Sequence, residues 1–292
     1  MFKGAMTAIV TPFNEDGSLD LESLKKFIDF QINNNIDGLV PCGTTGESPT
    51  LEFDEHKQVV KTTIEQANGK VPIIAGAGSN STKHAVELTK LAADLGANAT
   101  LHVCPYYNKP TQEGLFRHYS EIAKAADIPV VVYNIKGRTA INMETATLAR
   151  LQKEHSNIAA VKEASGDINQ MQDVINTLPK DFDVLSGDDS MTVQLMKIGG
   201  KGIISVASNI IPQQVHDLTQ AALDGDFEKA EQMNKDLTPL FEGIFIETNP
   251  IPIKAGLVMK GMIKESYRLP MCEMQPENKE KLKKILTDAG AI

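Results

Sequence analysis

The sequence predicts a (β/α)8 barrel, the TIM-barrel architecture of the α/β class, with a small C-terminal helical domain. Short apolar runs rich in β-branched residues alternate with helical patterns up to about residue 224, which predicts parallel strands joined by right-handed crossovers. Eight such units in about 225 residues match a closed barrel. Residues 225–292 show helical patterns only. We therefore expect a catalytic barrel over 1–224 and a helical appendage over 225–292.

Each predicted strand is an apolar run that ends in small or turn-forming residues. The eight predicted strands span residues 5–10, 36–42, 71–77, 97–104, 128–133, 158–162, 182–185 and 202–206. An open doubly wound sheet is the structural alternative. That fold more often carries a nucleotide-binding fingerprint after its first strand, and Pro12-Phe13-Asn14 is not one.

A helical pattern follows every predicted strand. The predicted barrel helices span residues 21–34, 53–68, 82–95, 112–126, 143–153, 168–177, 191–198 and 212–223. Asp20 is the expected N-cap of the first of them. The segment through Arg138 is predicted to be a loop. Three further helices are predicted in the C-terminal part, over residues 227–240, 251–262 and 276–289.

The composition is that of an acidic, soluble protein. A net charge of −9 and a pI near 5.2 argue against a nucleic-acid partner and against docking to an anionic membrane. No signal peptide is expected, and no apolar run approaches the roughly 20 residues of a membrane helix. The three cysteines are far apart and odd in number. They favour a reducing cytoplasm over a disulfide framework.

The active site of a (β/α)8 barrel lies at the carboxyl ends of its strands. Lys162 occupies such a position, at the end of the sixth strand. Burial lowers the pKa of an ammonium group, and a partly neutral lysine can attack a carbonyl to form a Schiff base. The alternative is a structural lysine held in an ion pair, for example with Glu163.

Other residues that could take part in catalysis or bind a substrate lie at or after the ends of other predicted strands. Tyr133 ends the fifth strand, where its hydroxyl could exchange protons with an adduct on Lys162. The run Gly43-Thr-Thr-Gly-Glu47 could bind a carboxylate through backbone N–H groups and a threonine hydroxyl, or could be a tight turn. Arg138 could bind a carboxylate, or could be a solvated surface residue.

The histidines, at positions 56, 84, 102, 118, 155 and 216, lack the spacing of metal ligands. Asp188 and Asp189 follow the seventh strand with no histidine nearby. We therefore expect no metal site and no cofactor.

Four motifs occur in this order within the predicted barrel: Gly43-Thr-Thr-Gly-Glu47, Tyr106-Tyr-Asn-Lys-Pro110, Tyr133-Asn134 and Val161-Lys-Glu-Ala164. In combination they resemble the dihydrodipicolinate synthase branch of the pyruvate-dependent class I aldolases, the N-acetylneuraminate lyase family. The resemblance extends from about Gly4 to the C-terminus.

The resemblance implies roles for four catalytic residues. Lys162 would form an imine with pyruvate, and Tyr133 would shuttle protons during imine and C–C bond formation. Thr44 would relay protons between Tyr133 and Tyr107. Tyr107 would reach in from a neighbouring subunit of a cytoplasmic homotetramer.

The resemblance also implies how the substrates bind. Thr45 would hold the carboxylate of pyruvate, and Arg138 that of aspartate semialdehyde. The backbone of Ile204 would line the pocket. The implied pathway is lysine and diaminopimelate synthesis.

The sequence departs from the family pattern at two places. In the loop after Tyr133, Lys136 replaces the family's proline and Ala140 replaces its glycine. Because proline fixes φ and glycine permits a positive φ, the orientation of Arg138 and the identity of the second substrate stay open. At the family's lysine-feedback site, Ser48, His56 and Asn80 are retained, whereas His84 stands for a glutamate. Loss of that carboxylate predicts weak or absent inhibition by lysine.

Three other functions fit parts of the pattern. A sister aldolase, cleaving N-acetylneuraminate or a 2-keto-3-deoxy sugar acid, would share Lys162, Tyr133 and Thr45 but would not need Arg138. A non-catalytic binding barrel would form no imine. A phosphate-binding isomerase would need a glycine-rich phosphate loop after the seventh and eighth strands. The segment Ser186-Gly-Asp-Asp189, which follows the seventh strand, is acidic and repels phosphate.

Overall fold

A computed structural model describes residues 2–292 and contains the predicted barrel. Its parallel strands are β1 Gly4–Ala8, β2 Gly38–Val40, β3 Ile74–Gly76, β4 Ala99–Val103, β5 Val130–Asn134, β6 Ile158–Glu163, β7 Asp183–Ser186 and β8 Gly202–Ser205. They follow the order β2-β1-β8-β7-β6-β5-β4-β3. A parallel bridge between Leu39 and Ile73 joins the two ends of this sheet, so the barrel is closed.

Helices cover the outside of the barrel and form the C-terminal part. They are α1 Leu21–Asn33, α2 Phe53–Ala67, α3 Thr82–Leu95, α4 Gln112–Ala125, α5 Lys136–Thr139, α6 Thr145–Glu154, α7 Ile168–Thr177, α8 Thr192–Lys197, α9 Pro212–Leu223, α10 Phe227–Gly243, α11 Ile251–Met259 and α12 Pro276–Asp288. Every predicted strand and helix is present, with boundaries that differ by at most three residues. The alternative of an open doubly wound sheet is wrong, since the sheet closes.

The predicted loop through Arg138 was wrong in one respect, because this segment contains the short helix α5. The N–H groups of Arg138 and Thr139 both donate to the carbonyl of Ile135. Ala140 ends the turn in the left-handed conformation, at φ +59°. A single turn carries too few residues for helical periodicity to be recognised in the sequence.

Local signals explain where the longer helices begin and end. The Asp20 side chain accepts a hydrogen bond from the Ser23 N–H, so the predicted N-cap of α1 is confirmed. A capping box between Glu52 and Glu55 starts α2. Gly96, at φ +87°, ends α3 in the left-handed conformation that glycine adopts without strain.

The helices after residue 225 share a hydrophobic core with the barrel. Leu282 and Leu286 of α12 are fully buried and belong to the same apolar cluster as Ile9 and Val206. A separate cluster fills the barrel interior and includes Met6, which is fully buried. None of the helices within residues 2–292 has the length and apolar character that crossing a membrane requires.

Candidate active site

A cavity opens at the carboxyl ends of the strands, as predicted for a barrel enzyme. Five of the seven predicted site residues line it, namely Thr44, Thr45, Tyr133, Arg138 and Lys162. The remaining walls come mainly from small and apolar residues, among them Ala8, Gly43, Gly76, Leu101, Ile135, Gly187, Val206 and Phe245. The fold therefore brings the predicted residues from the ends of three strands, β2, β5 and β6, into one pocket.

Lys162 and Tyr133 are placed by strand register. β5 and β6 pair in parallel with Tyr133 directly opposite Lys162. The Lys162 Nζ lies 4.4 Å from the centre of the Tyr133 ring. Gly187, which follows β7, leaves room for the lysine, because a Cβ at that position would lie 3.0 Å from the Lys162 Cε. Two adjacent strands thus hold the amine against the phenol.

Burial changes the acid–base behaviour of Lys162. Its side chain is only 4% exposed. This burial lowers the pKa of the ammonium to about 8; Asp189 opposes the shift and Arg138 adds to it. At that pKa roughly a tenth of the amine is neutral at pH 7. The group is therefore available as a nucleophile near neutral pH.

The carboxylate next to Lys162 in sequence does not pair with it. Glu163 accepts hydrogen bonds from Asn134, Gln170 and the backbone N–H of Ser165. Within residues 2–292, Lys162 has no ion pair with any carboxylate. The predicted structural alternative, a pair between Lys162 and Glu163, is therefore not formed.

Tyr133 is buried beside the amine, and this burial raises the pKa of its phenol to about 12. The hydroxyl is therefore protonated at neutral pH and can donate a proton or a hydrogen bond into the cavity.

Asn249 connects the two predicted carboxylate-binding residues. Its side-chain Nδ2 donates to the Thr45 Oγ1 at 3.0 Å, and its backbone carbonyl accepts from the Arg138 Nη2 at 3.1 Å. Because an amide nitrogen only donates, the Thr45 oxygen is the acceptor and its own O–H remains free to donate to a substrate anion. The sequence prediction missed Asn249, since it lies 204 positions from Thr45 and belongs to no recognisable motif.

Two predicted residues do not line the cavity. Tyr107 is 89% exposed, in the loop after β4, with its backbone at φ +73°. Ile204 is fully buried in the barrel interior, and Val206, two residues further on, forms the cavity wall instead. Their proposed roles remain predictions.

A second cavity lies beside the first, and Cys42 and Ser48 contribute to both. Ser48, His56 and His84 line it, and Tyr106 forms part of its wall. Asn80, the other residue of the predicted feedback site, does not line this cavity, and the feedback role stays a prediction. Burial lowers the pKa of His56 to about 4. Across residues 2–292, no group of three or more His, Cys, Asp or Glu side chains could hold a metal ion.

Known proteins resemble this chain over its full length. The sequence model of the dihydrodipicolinate synthetase family matches residues 1–289. Two similar proteins are the 4-hydroxy-tetrahydrodipicolinate synthases of Thermodesulfovibrio yellowstonii and Geobacter metallireducens. They are 50% and 51% identical to this chain, and each alignment covers the full length of both proteins. The chloride-inhibited dihydrodipicolinate synthase from Acinetobacter baumannii, solved in complex with pyruvate, is 43% identical and superimposes with a TM-score of 0.98 over all of both chains.

Proposed function

Because this chain belongs to the dihydrodipicolinate synthetase family, we propose that it condenses pyruvate with L-aspartate-4-semialdehyde through an imine on Lys162. The product is 4-hydroxy-tetrahydrodipicolinate, and the reaction is a lyase-type step of lysine and diaminopimelate biosynthesis. One observation carries the assignment of Lys162. It is a buried amine with a pKa of about 8, free of a carboxylate partner within residues 2–292 and open to the cavity.

The reaction needs an electron sink at the carbonyl carbon of pyruvate. The neutral Lys162 amine adds to that carbon, and loss of water leaves a protonated imine. The imine withdraws electrons, so a methyl proton can leave and an enamine forms. The enamine carbon attacks the aldehyde, whose oxygen takes up a proton. The amino group that comes from aspartate semialdehyde then attacks the imine carbon, which closes the ring of the product and expels Lys162 as the free amine. Tyr133, whose protonated phenol lies beside Lys162, is suited to deliver and remove these protons.

Two positions are suited to the substrate carboxylates. Thr45 presents a hydroxyl whose oxygen is already occupied by Asn249, so its proton is available to pyruvate. Arg138 lies on α5 at the cavity wall, where a second carboxylate could bind it. Ala140 takes up the left-handed conformation that the family's glycine would permit, so this departure leaves the helical turn intact. This arrangement supports a second substrate with its own carboxylate.

We further propose a cytoplasmic homotetramer in which Tyr107 completes the site of a neighbouring subunit, with Thr44 relaying protons to it. Two observations support this assignment: the Tyr107 side chain is exposed, and it does not line the cavity of its own chain. Inhibition by lysine is expected to be weak, since His84 brings no carboxylate to the second cavity. Potent inhibition by lysine in an initial-rate assay would contradict this.

Borohydride trapping tests the proposed function. The protein is incubated with pyruvate, reduced, weighed by mass spectrometry and mapped by peptide digestion. We expect the wild type to gain the mass of one reduced pyruvate adduct on Lys162, and Lys162→Ala to gain none. No gain in the wild type would support the non-catalytic binding barrel. Turnover with aspartate semialdehyde, against N-acetylmannosamine and other sugar aldehydes, separates the synthase from its sister aldolases.

A further inference from the structure

The loop that carries Thr44 and Thr45 is held in an unusual backbone conformation. Cys42 and Glu47, on either side of the two threonines, have φ values of +56° and +53°. L-residues with a Cβ avoid this left-handed region unless surrounding contacts impose it. On the barrel side, the loop passes close to β3, where a Cβ at Gly76 would lie 2.1 Å from the Cys42 carbonyl oxygen. The Glu47 end of the loop is held by other contacts.

Those contacts come from the C-terminal helical part. The Nζ of Lys254, on α11, donates to the Glu47 Oε1 at 2.5 Å, and both side chains are 1% exposed. The other oxygen of the same carboxylate, Oε2, accepts from the backbone N–H of Arg268. Glu47 is therefore bound at both oxygens by residues more than 200 positions away.

The ammonium group of Lys254 has further partners besides Glu47. It donates a second hydrogen bond to the Ser266 carbonyl at 2.7 Å. Its Nζ lies 4.6 Å from the centre of the Phe13 ring and 5.0 Å from that of Tyr267. An ammonium with these partners cannot move without losing several of them. The carboxylate that it holds, and hence the loop, is fixed relative to α11.

A buried ion pair is seldom more stabilising than two apolar side chains of the same size, but it is far more demanding in geometry. Neither Glu47 nor Lys254 lines the active-site cavity. We propose that Glu47 and Lys254 are positioning residues that set the affinity for pyruvate by holding the Thr44–Thr45 loop in its binding conformation. This inference rests on the proposed function, because it acts through the pyruvate-binding role of Thr45.

The test uses the full-length protein and four variants: Glu47→Gln, Lys254→Met, the double variant of both, and Lys264→Met. The last is the matched control, since Lys264 belongs to the same C-terminal part but pairs with Asp20 and is 53% exposed. For each, borohydride trapping is measured against pyruvate concentration, and thermal unfolding is followed in parallel. Trapping requires no second substrate, so it reports on pyruvate binding alone.

We expect each single variant to raise the pyruvate concentration for half-maximal trapping by about tenfold, the scale of a lost hydrogen bond between charged groups. Trapping at saturating pyruvate should still be complete, because Lys162 is intact. The double variant removes both charges, so its unfolding temperature should recover toward that of the wild type. Its half-saturation should nevertheless stay raised. Lys264→Met should match the wild type in both measurements.

The outcomes separate positioning from mere stability. A double variant that regains both unfolding temperature and wild-type half-saturation would overturn the positioning role and leave the proposed function standing. The same holds if a folded Glu47→Gln binds pyruvate like the wild type. If the wild type itself forms no trappable adduct, the proposed function fails, and the positioning role fails with it.

Discussion

Two regions of this protein each bury a lysine against a tyrosine ring, and they use it in opposite ways. Lys162 lies at the cavity with its Nζ 4.4 Å from the Tyr133 ring centre. Lys254 lies between α11 and the barrel with its Nζ 5.0 Å from that of Tyr267. Burial lowers the pKa of both amines. At Lys254, however, Glu47 accepts directly from the ammonium and opposes the shift.

The difference shows that burial alone does not make an amine reactive. A desolvated lysine with a carboxylate in contact keeps its proton and serves as a cross-link. A desolvated lysine without one, such as Lys162, releases the proton near neutral pH. Asp189 still influences the pKa of Lys162, but among residues 2–292 no carboxylate forms an ion pair with Lys162. The placement of a carboxylate therefore separates the nucleophile from the cross-link.

The largest expected effect is on turnover when the reactive lysine is removed. Lys162→Met should lower turnover by about a thousandfold or more, because no other group can form the imine. Its stability to urea should be unchanged or higher, since an unpaired buried amine is replaced by an apolar chain of similar shape. Steady-state rates and urea denaturation of the same preparation test both. Turnover that is retained in Lys162→Met would show that Lys162 is not the reactive amine, and the contrast with Lys254 would fail.

The two tyrosines provide a matched pair. Tyr133→Phe should lower turnover by about a hundredfold, the usual range for loss of a positioned proton donor, whereas Tyr267→Phe should change it by less than about twofold. The rings are kept in both variants, so only the hydroxyl groups are compared. Equal losses in the two variants would show that the effect lies in packing and not in proton transfer.

The cross-linking lysine should dominate stability. Lys254→Met should lower the free energy of unfolding by about 3 kcal/mol, because the buried carboxylate of Glu47 is left without its charge partner. Lys264→Met, which removes a lysine that is 53% exposed, should cost less than about 0.5 kcal/mol. Chemical denaturation measures both. A loss at Lys254 no larger than at Lys264 would mean that burial does not strengthen this pair.

The smallest expected effect is a pH dependence that only Lys162 produces. The neutral amine is the reactive form, and burial lowers its pKa to about 8. The initial rate of adduct trapping at low pyruvate should therefore rise about tenfold per pH unit below this value and level off above it. A rate that continued to rise toward pH 10 would indicate an amine with the ordinary lysine pKa. The Lys254→Met variant should trap more slowly at low pyruvate but show the same dependence on pH as the wild type.

Much of the site follows from the order of residues along the chain. Alternating strands and helices predict the barrel, the barrel places the site at the strand ends, and five predicted residues meet in the cavity there. The residues best predicted are those at strand ends, Tyr133 and Lys162, because the parallel register places them side by side. The one-turn helix at Arg138 was not predicted, since four residues carry no periodic signal.

By itself, the sequence determined the fold and the position of Lys162 at a strand end, because hydrophobic periodicity and strand order are local properties that repeat along the chain. Only the tertiary structure decided which carboxylate accompanies which lysine. Glu163 follows Lys162 directly in the sequence but accepts hydrogen bonds from Asn134 and Gln170. Lys254, by contrast, forms an ion pair with Glu47, which lies 207 positions away in the sequence. The physical reason is that an ion pair or an amide bridge such as Asn249 to Thr45 depends on the distance between atoms in the folded chain. Side chains far apart in sequence acquire that distance only when α11 packs against the mouth of the barrel.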